Sequence, residues 1–187
     1  MPVRITALAV MLAAAGAIAA TAPPSSAGGP PVLDGKKKTS LSFSGSGGVQ
    51  DNDKDFVGTT KDRADCAAPR CAAMPFVYKP AKGVQGDTAY LLTWTNPASD
   101  FDLYVAEVGK AGGRSTVAKC GAGAGRSEKV FIPAGTLKSG HVYAIVVDFY
   151  RSLNEKFTAT VTLPGANAIG SKVPTAAEKV EPINCGL

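Results

Sequence analysis

Two aspartates, Asp100 and Asp102, stand one residue apart in the run Ser99-Asp100-Phe101-Asp102-Leu103-Tyr104-Val105. On a strand such a pair shares one face at a spacing of about 6.5–7 Å. That spacing suits the paired carboxylates of glycoside hydrolysis. It is equally suited to architecture: Asp100 can cap the preceding turn with its side chain, while Asp102 is solvated or pairs with Lys or Arg across the strand. A second acidic group is Asp51-Asn52-Asp53-Lys54-Asp55. Alternating carboxylates with an Asn between them suit an oxygen-rich Ca²⁺ site, with Asp51, Asp53 and Asp55 as ligands and the corner aspartates as further candidates. An EF-hand is excluded, because Phe56 occupies the sixth loop position and Asp62 the twelfth. Ca²⁺ is the one cofactor the sequence suggests.

Other chemistry finds little support. Nucleophilic or acid–base catalysis needs a poised base beside a nucleophile, and the one histidine, His141, reads as a strand-end surface residue. Ser44-Gly45-Ser46-Gly47-Gly48 only approximates a nucleophile elbow, and no helix follows it. The glycines of Cys120-Gly121-Ala122-Gly123-Ala124-Gly125 lack the βαβ setting of a dinucleotide site. The expectation is a non-catalytic module rather than an enzyme. The alternative is a small hydrolase using Asp100 and Asp102.

The ends of the chain decide the compartment. Arg4 precedes an uncharged apolar run from Ile5 to Ala20, and Ser25-Ser26-Ala27 offers a small-residue cleavage signature. This is the pattern of a secretory signal peptide. A membrane anchor is the competing reading, disfavoured by the Ala-rich run ending in Pro23-Pro24. No later run is long enough to span a bilayer, and the mature form is expected outside the cell. Removing Arg4 lowers the net charge from +5 to +4. Lys36-Lys37-Lys38 is the only dense basic run and has no interleaved aromatics or arginines, so nucleic acid is not an expected partner. An extracellular polymer, the cell wall or another protein is. Cys66, Cys71, Cys120 and Cys185 make an even count, which in an exported chain reads as two disulfides. Of the three connectivities, Cys66–Cys71 with Cys120–Cys185 is preferred. A zinc site lacks the Cys-x-x-Cys spacing.

Short alternating runs between Gly/Pro turns must position these residues. Strands are read at Thr39–Phe43, Phe56–Thr60, Met74–Pro80, Ala89–Thr95, Asp100–Val105, Ser115–Lys119, Glu128–Ile132, His141–Tyr150 and Phe157–Leu163. Trp94, the only tryptophan, is read as a core anchor rather than a sugar-stacking platform. Tyr104 shares the polar face of its strand with the two aspartates. His141–Tyr150 is apolar on both faces, as a central strand would be. The fold class expected is all-β: an antiparallel, jelly-roll-like two-sheet sandwich of about eight strands. The domain reading is a signal peptide at 1–27, a flexible lead-in at 28–38, the sandwich at 39–165 and a disulfide-tethered tail at 166–187.

The run from Tyr90 to Leu163 resembles the bacterial pre-peptidase C-terminal domain. The resemblance is carried by an apolar strand ending in Trp94-Thr95, by Ser99-Asp100-Phe101-Asp102-Leu103-Tyr104-Val105, by Glu128-Lys129-Val130, and by Gly140-His141-Val142-Tyr143-Ala144-Ile145-Val146-Val147 with Phe157-Thr158-Ala159-Thr160-Val161. It implies a β-sandwich of exported bacterial proteins, commonly appended to proteases, with related sandwiches that bind collagen or polysaccharide and some that use Ca²⁺. No protease domain lies between Ala27 and Leu41, so the chain reads as a stand-alone copy. Paired cysteines are not a general feature of that family.

Overall fold

Alternation of period two is what builds this molecule. In Ser40–Ser46 each serine faces out, and Leu41 and Phe43 face in. In Ser127–Ile132 buried and exposed residues alternate without a break. A computed structural model describes residues 29–51, 70–84, 87–120 and 126–163. It contains strands β1 Val32–Leu33, β2 Ser40–Ser46, β3 Val49–Asp51, β4 Cys71–Tyr78, β5 Thr88–Trp94, β6 Asp100–Val108, β7 Arg114–Cys120, β8 Ser127–Ile132, β9 Val142–Leu153 and β10 Lys156–Thr162.

One sheet runs β1-β4-β9-β6-β7, with β3 also paired to β9; the other runs β2-β10-β5-β8. Every pairing is antiparallel except β1 with β4. Setting aside β1 and β3, of two and three residues, eight strands remain, four to a sheet. The chain alternates between the sheets at every step except the β6–β7 hairpin. This is the double Greek key of a jelly roll, as the pattern of short strands led one to expect. β9 lies at the centre of its sheet and is buried on both faces from Tyr143 to Phe149, which explains its unbroken apolar run.

Three local differences from the sequence reading have simple causes. The segment read as a flexible lead-in supplies β1, because Leu33 is fully buried against the core. Its following turn is tied by Asp34 Oδ1, which accepts the amides of Lys36, Lys37 and Lys38 at 2.8–2.9 Å. The serine–glycine stretch read as a loop after Phe43 continues as strand to Ser46, because β10 pairs along its whole length. Pro75 sits inside β4 rather than ending it; its ring nitrogen faces away from β9, on the outer edge where β1 does not reach, so no ladder bond is lost. The segment read as a strand at Phe56–Thr60, the signal peptide and the tail lie outside the described residues.

The core fills the space between the sheets. At one end Phe43, Phe101, Phe149 and Phe157 meet edge-on or tilted, with ring centroids 5.6–5.8 Å apart. Pairs of this kind contribute about 0.5–1.5 kcal/mol each beyond area burial. Gly45 is required here: a methyl group on it would stand 2.8 Å from Cζ of Phe157. That ring is 2% exposed and held by three other phenylalanines, so it cannot swing away. Gly45→Ala is expected to lower stability by about 1–3 kcal/mol through overpacking, read as a lower denaturation midpoint in urea.

Candidate functional site

The β5–β6 connection carries the chain from one sheet to the other, and its sequence dictates how. Trp94 ends β5 with its ring in the core, 5% exposed and 5.4 Å from the Phe101 ring. A buried indole needs a partner for its N–H. Nε1 donates to the Ser99 carbonyl at 3.0 Å and so closes the turn from inside. Asn96 closes it from outside: its Oδ1 accepts the Ala98 amide at 3.0 Å, and its carbonyl accepts that of Ser99 at 3.1 Å. Asn96 thus caps the turn with its own side chain. From β9 and the β9–β10 turn, the Leu153 amide donates to Ser99 Oγ at 3.3 Å, and Glu155 Oε1 accepts both the amide and the hydroxyl of Thr95. Trp94 is the core anchor the sequence implied.

Beyond the turn three carboxylates meet. Asp100, Asp102 and Glu128 each present an oxygen within 4.8 Å of the other two. Glu128 comes from the other sheet, on the inward-facing row of β8 with Val130 and Ile132, and is 6% exposed. Its Oε2 accepts the Leu103 amide at 2.8 Å in a buried hydrogen bond. It thereby joins β8 to β6. Asp102 is only 9% exposed, and the residue opposite it on β9 is Asp148, 1% exposed; Asp100 lies opposite Arg151. Asp102 is therefore not the solvated residue that was one reading of it, and the position directly opposite it on β9 holds no Lys or Arg. The register shift between Asp100 and Asp102 places an extra β9 residue here and moves Arg151 to the Asp100 position.

The face read as polar is also not an open one. Tyr104, Ala106, Ala144, Val146 and Cys71 form a second buried cluster on the side of this sheet away from the sandwich core. Asp148 and Glu128 were missed by the sequence reading, yet each left a signal. Asp148 interrupts the apolar run of β9, and Glu128 occupies an inward position of a cleanly alternating strand.

Oxygen atoms that share one Ca²⁺ at 2.3–2.6 Å stand no more than about 5 Å apart, so the three carboxylates are spaced within reach of a single cation. Of the proposed run, Asp51 ends β3 opposite Arg151; Asp53 and Asp55 lie outside the described residues. Equal melting temperatures in Ca²⁺ and in chelator would remove a cation from both places, since a ligand of the native state must stabilise it. Cys71 is disulfide-bonded, and its partner lies outside the described residues, as do Cys66 and Cys185. Cys120 ends β7 opposite Leu103. No complete disulfide falls within the described residues.

His141 is a strand-start surface residue, as read. Its Nδ1 lies 2.6 Å from Glu107 Oε1, with both side chains well exposed. That hydrogen bond holds the Glu107 carboxyl below its ordinary range. The Thr95 hydroxyl does the same for Glu155, and backbone amides, Lys38 foremost, do so for Asp34. A carboxylate whose folded pKa is depressed stabilises the fold above its unfolded pKa and loses that contribution as pH falls through the folded value. Stability is therefore expected to fall below about pH 4, the ordinary carboxylate range. Glu155→Gln should flatten the fall in melts recorded between neutral and acid pH.

No family model matches the chain, and no curated protein does. The resemblance to the pre-peptidase C-terminal domain is accordingly not a family assignment, and the β-sandwich it implied is what stands. Among solved structures, the Yersinia pseudotuberculosis-derived mitogen (YPM) is distantly similar, at 13% identity and a TM-score of 0.36, over 73% of this chain and 97% of that one. No helix among the described residues is long and apolar enough to cross a membrane.

Proposed function

We propose that the chain is an exported, non-catalytic β-sandwich module that binds an extracellular polymer through the outer face of its four-stranded sheet. The signal-peptide pattern from Arg4 to Ala27 supports export. The observation that carries the binding reading is a ladder of hydroxyls. Ser42 Oγ and Thr160 Oγ1 stand 2.7 Å apart, and Ser44 Oγ and Thr158 Oγ1 2.9 Å apart. Each hydroxyl has one donor and two acceptors, so a bonded pair still offers an O–H and several lone pairs to a ligand. Held flat by the strands, these groups suit a neutral, polyhydroxylated chain such as a glycan. Phe131, 39% exposed on β8, adds an apolar contact at the edge of the same sheet. The corner acids support a structural reading, since Glu128 is used to join the two sheets.

The test is retention of the mature protein on insoluble cell-wall and extracellular-matrix polymers. Retention on a glycan, reduced at least several-fold by the double change Thr158→Ala and Thr160→Ala, is the expected result. Retention that ignores those changes overturns the assigned face. The hydrolase reading keeps one supporting observation, the closeness of Asp100, Asp102 and Glu128. Reproducible turnover in a hydrolase screen, abolished by Asp102→Ala in a protein that still folds, would replace the module reading.

A further inference from the structure

We propose that β2 is a dimerisation edge, pairing antiparallel with β2 of a second copy to join two four-stranded sheets into one. This goes beyond the polymer reading and does not depend on it. The backbone groups of alternate β2 residues face opposite ways. Leu163 donates to the Thr39 carbonyl at 2.9 Å, and Gly47 donates to that of Glu155 at 3.0 Å. Odd-numbered residues therefore bond to β10, and the amides and carbonyls of Ser40, Ser42, Ser44 and Ser46 point into an edge that no other strand among the described residues covers.

Exposed edges are normally guarded by charge, proline or a bulge. The other edges of this sandwich follow that rule. β8 carries Glu128 and Lys129, β7 begins at Arg114 and is bulged opposite Val105–Ala106, and β4 has Pro75 where β1 does not cover it. Among the edge strands of the described residues, β2 alone has seven residues with no charge, no proline and no bulge.

The occupant follows from the strand's own pattern. Ser-Leu-Ser-Phe-Ser-Gly-Ser reads almost the same from either end about Phe43. Antiparallel pairing centred on Phe43 puts Ser42 opposite Ser44, Ser40 opposite Ser46, and Leu41 opposite the small Gly45. Such self-complementarity is the mark of a two-fold interface, and facing serines can hydrogen-bond across it. Charge selects the direction. The exposed Lys36, Lys37 and Lys38 precede β2, whereas Glu155 and Lys156 lie together at its far end. A parallel pair would set two lysine runs side by side. An antiparallel pair keeps them a strand length apart, roughly 24 Å, beyond the screening length of about 8 Å.

The experiment weighs the mature protein in solution by light scattering over a concentration series. The wild type is expected to approach twice the monomer mass. Ser42→Pro removes an outward amide and the exposed hydroxyl contact to Thr160 but no ladder bond to β10, so it should remain folded and monomeric. Register is read separately with Ser42→Cys and Ser44→Cys proteins, oxidised with glutathione disulfide. Their equal mixture should yield a covalent dimer, because facing Cα atoms about 5.5 Å apart permit a disulfide, while each variant alone yields far less. A monomeric mass at every concentration overturns the proposal. So does a folded Ser42→Pro dimer, or cross-linking of either variant alone as efficiently as the mixture.

Discussion

Trp94→Ala is expected to lower stability by about 3–5 kcal/mol, the range for truncating a large buried aromatic. Two losses combine. The ring leaves a void beside Phe101 at the end of the core where four phenylalanines converge. The Ser99 carbonyl, buried with the turn, loses the Nε1 donor. Trp94→Phe separates these losses. It keeps most of the packing and removes only the hydrogen bond, so about 1–3 kcal/mol is expected, the cost of leaving a buried acceptor unsatisfied. Urea denaturation measures both. Equal effects for the two variants would mean that the indole N–H, not the ring, holds the corner.

Glu128→Ala is the second large effect. It leaves the Leu103 amide buried between the sheets with no acceptor, at a cost of about 1–3 kcal/mol. Glu128→Gln keeps a carbonyl oxygen in the same reach and replaces one of three carboxyl groups held within 4.8 Å by a neutral amide, so it should cost clearly less. The ordering Ala worse than Gln identifies Glu128 as a hydrogen-bonding tie between β8 and β6. If both lose stability equally, its charge is what matters, and the acidic corner is balanced by a cation or a basic neighbour.

These two residues also mark how far the sequence could be read. Trp94 was legible as a core anchor, because it shares a strand face with Tyr90 and Leu92 and all three are buried. Its bond to Ser99 was not, since nothing in the spacing shows how a five-residue turn folds back on an indole. Glu128 could be placed on a strand but not given a role. Its partner, Leu103, lies 25 residues away on the other sheet.

The sequence by itself determined the eight longer strands, their inward faces and the sandwich. Period-two alternation and Gly/Pro turns are local properties, and a strand's side chains have only two directions to take. The tertiary structure alone decided which strands became neighbours. It set Asp102 opposite Asp148, brought Glu128 to the corner aspartates, and buried the face of Tyr104 that alternation had assigned to solvent. It also lined up the hydroxyls of β2 and β10, more than a hundred residues apart in the chain. Register between distant strands is fixed by how the two sheets fill their common core, a global constraint that no short window of sequence contains.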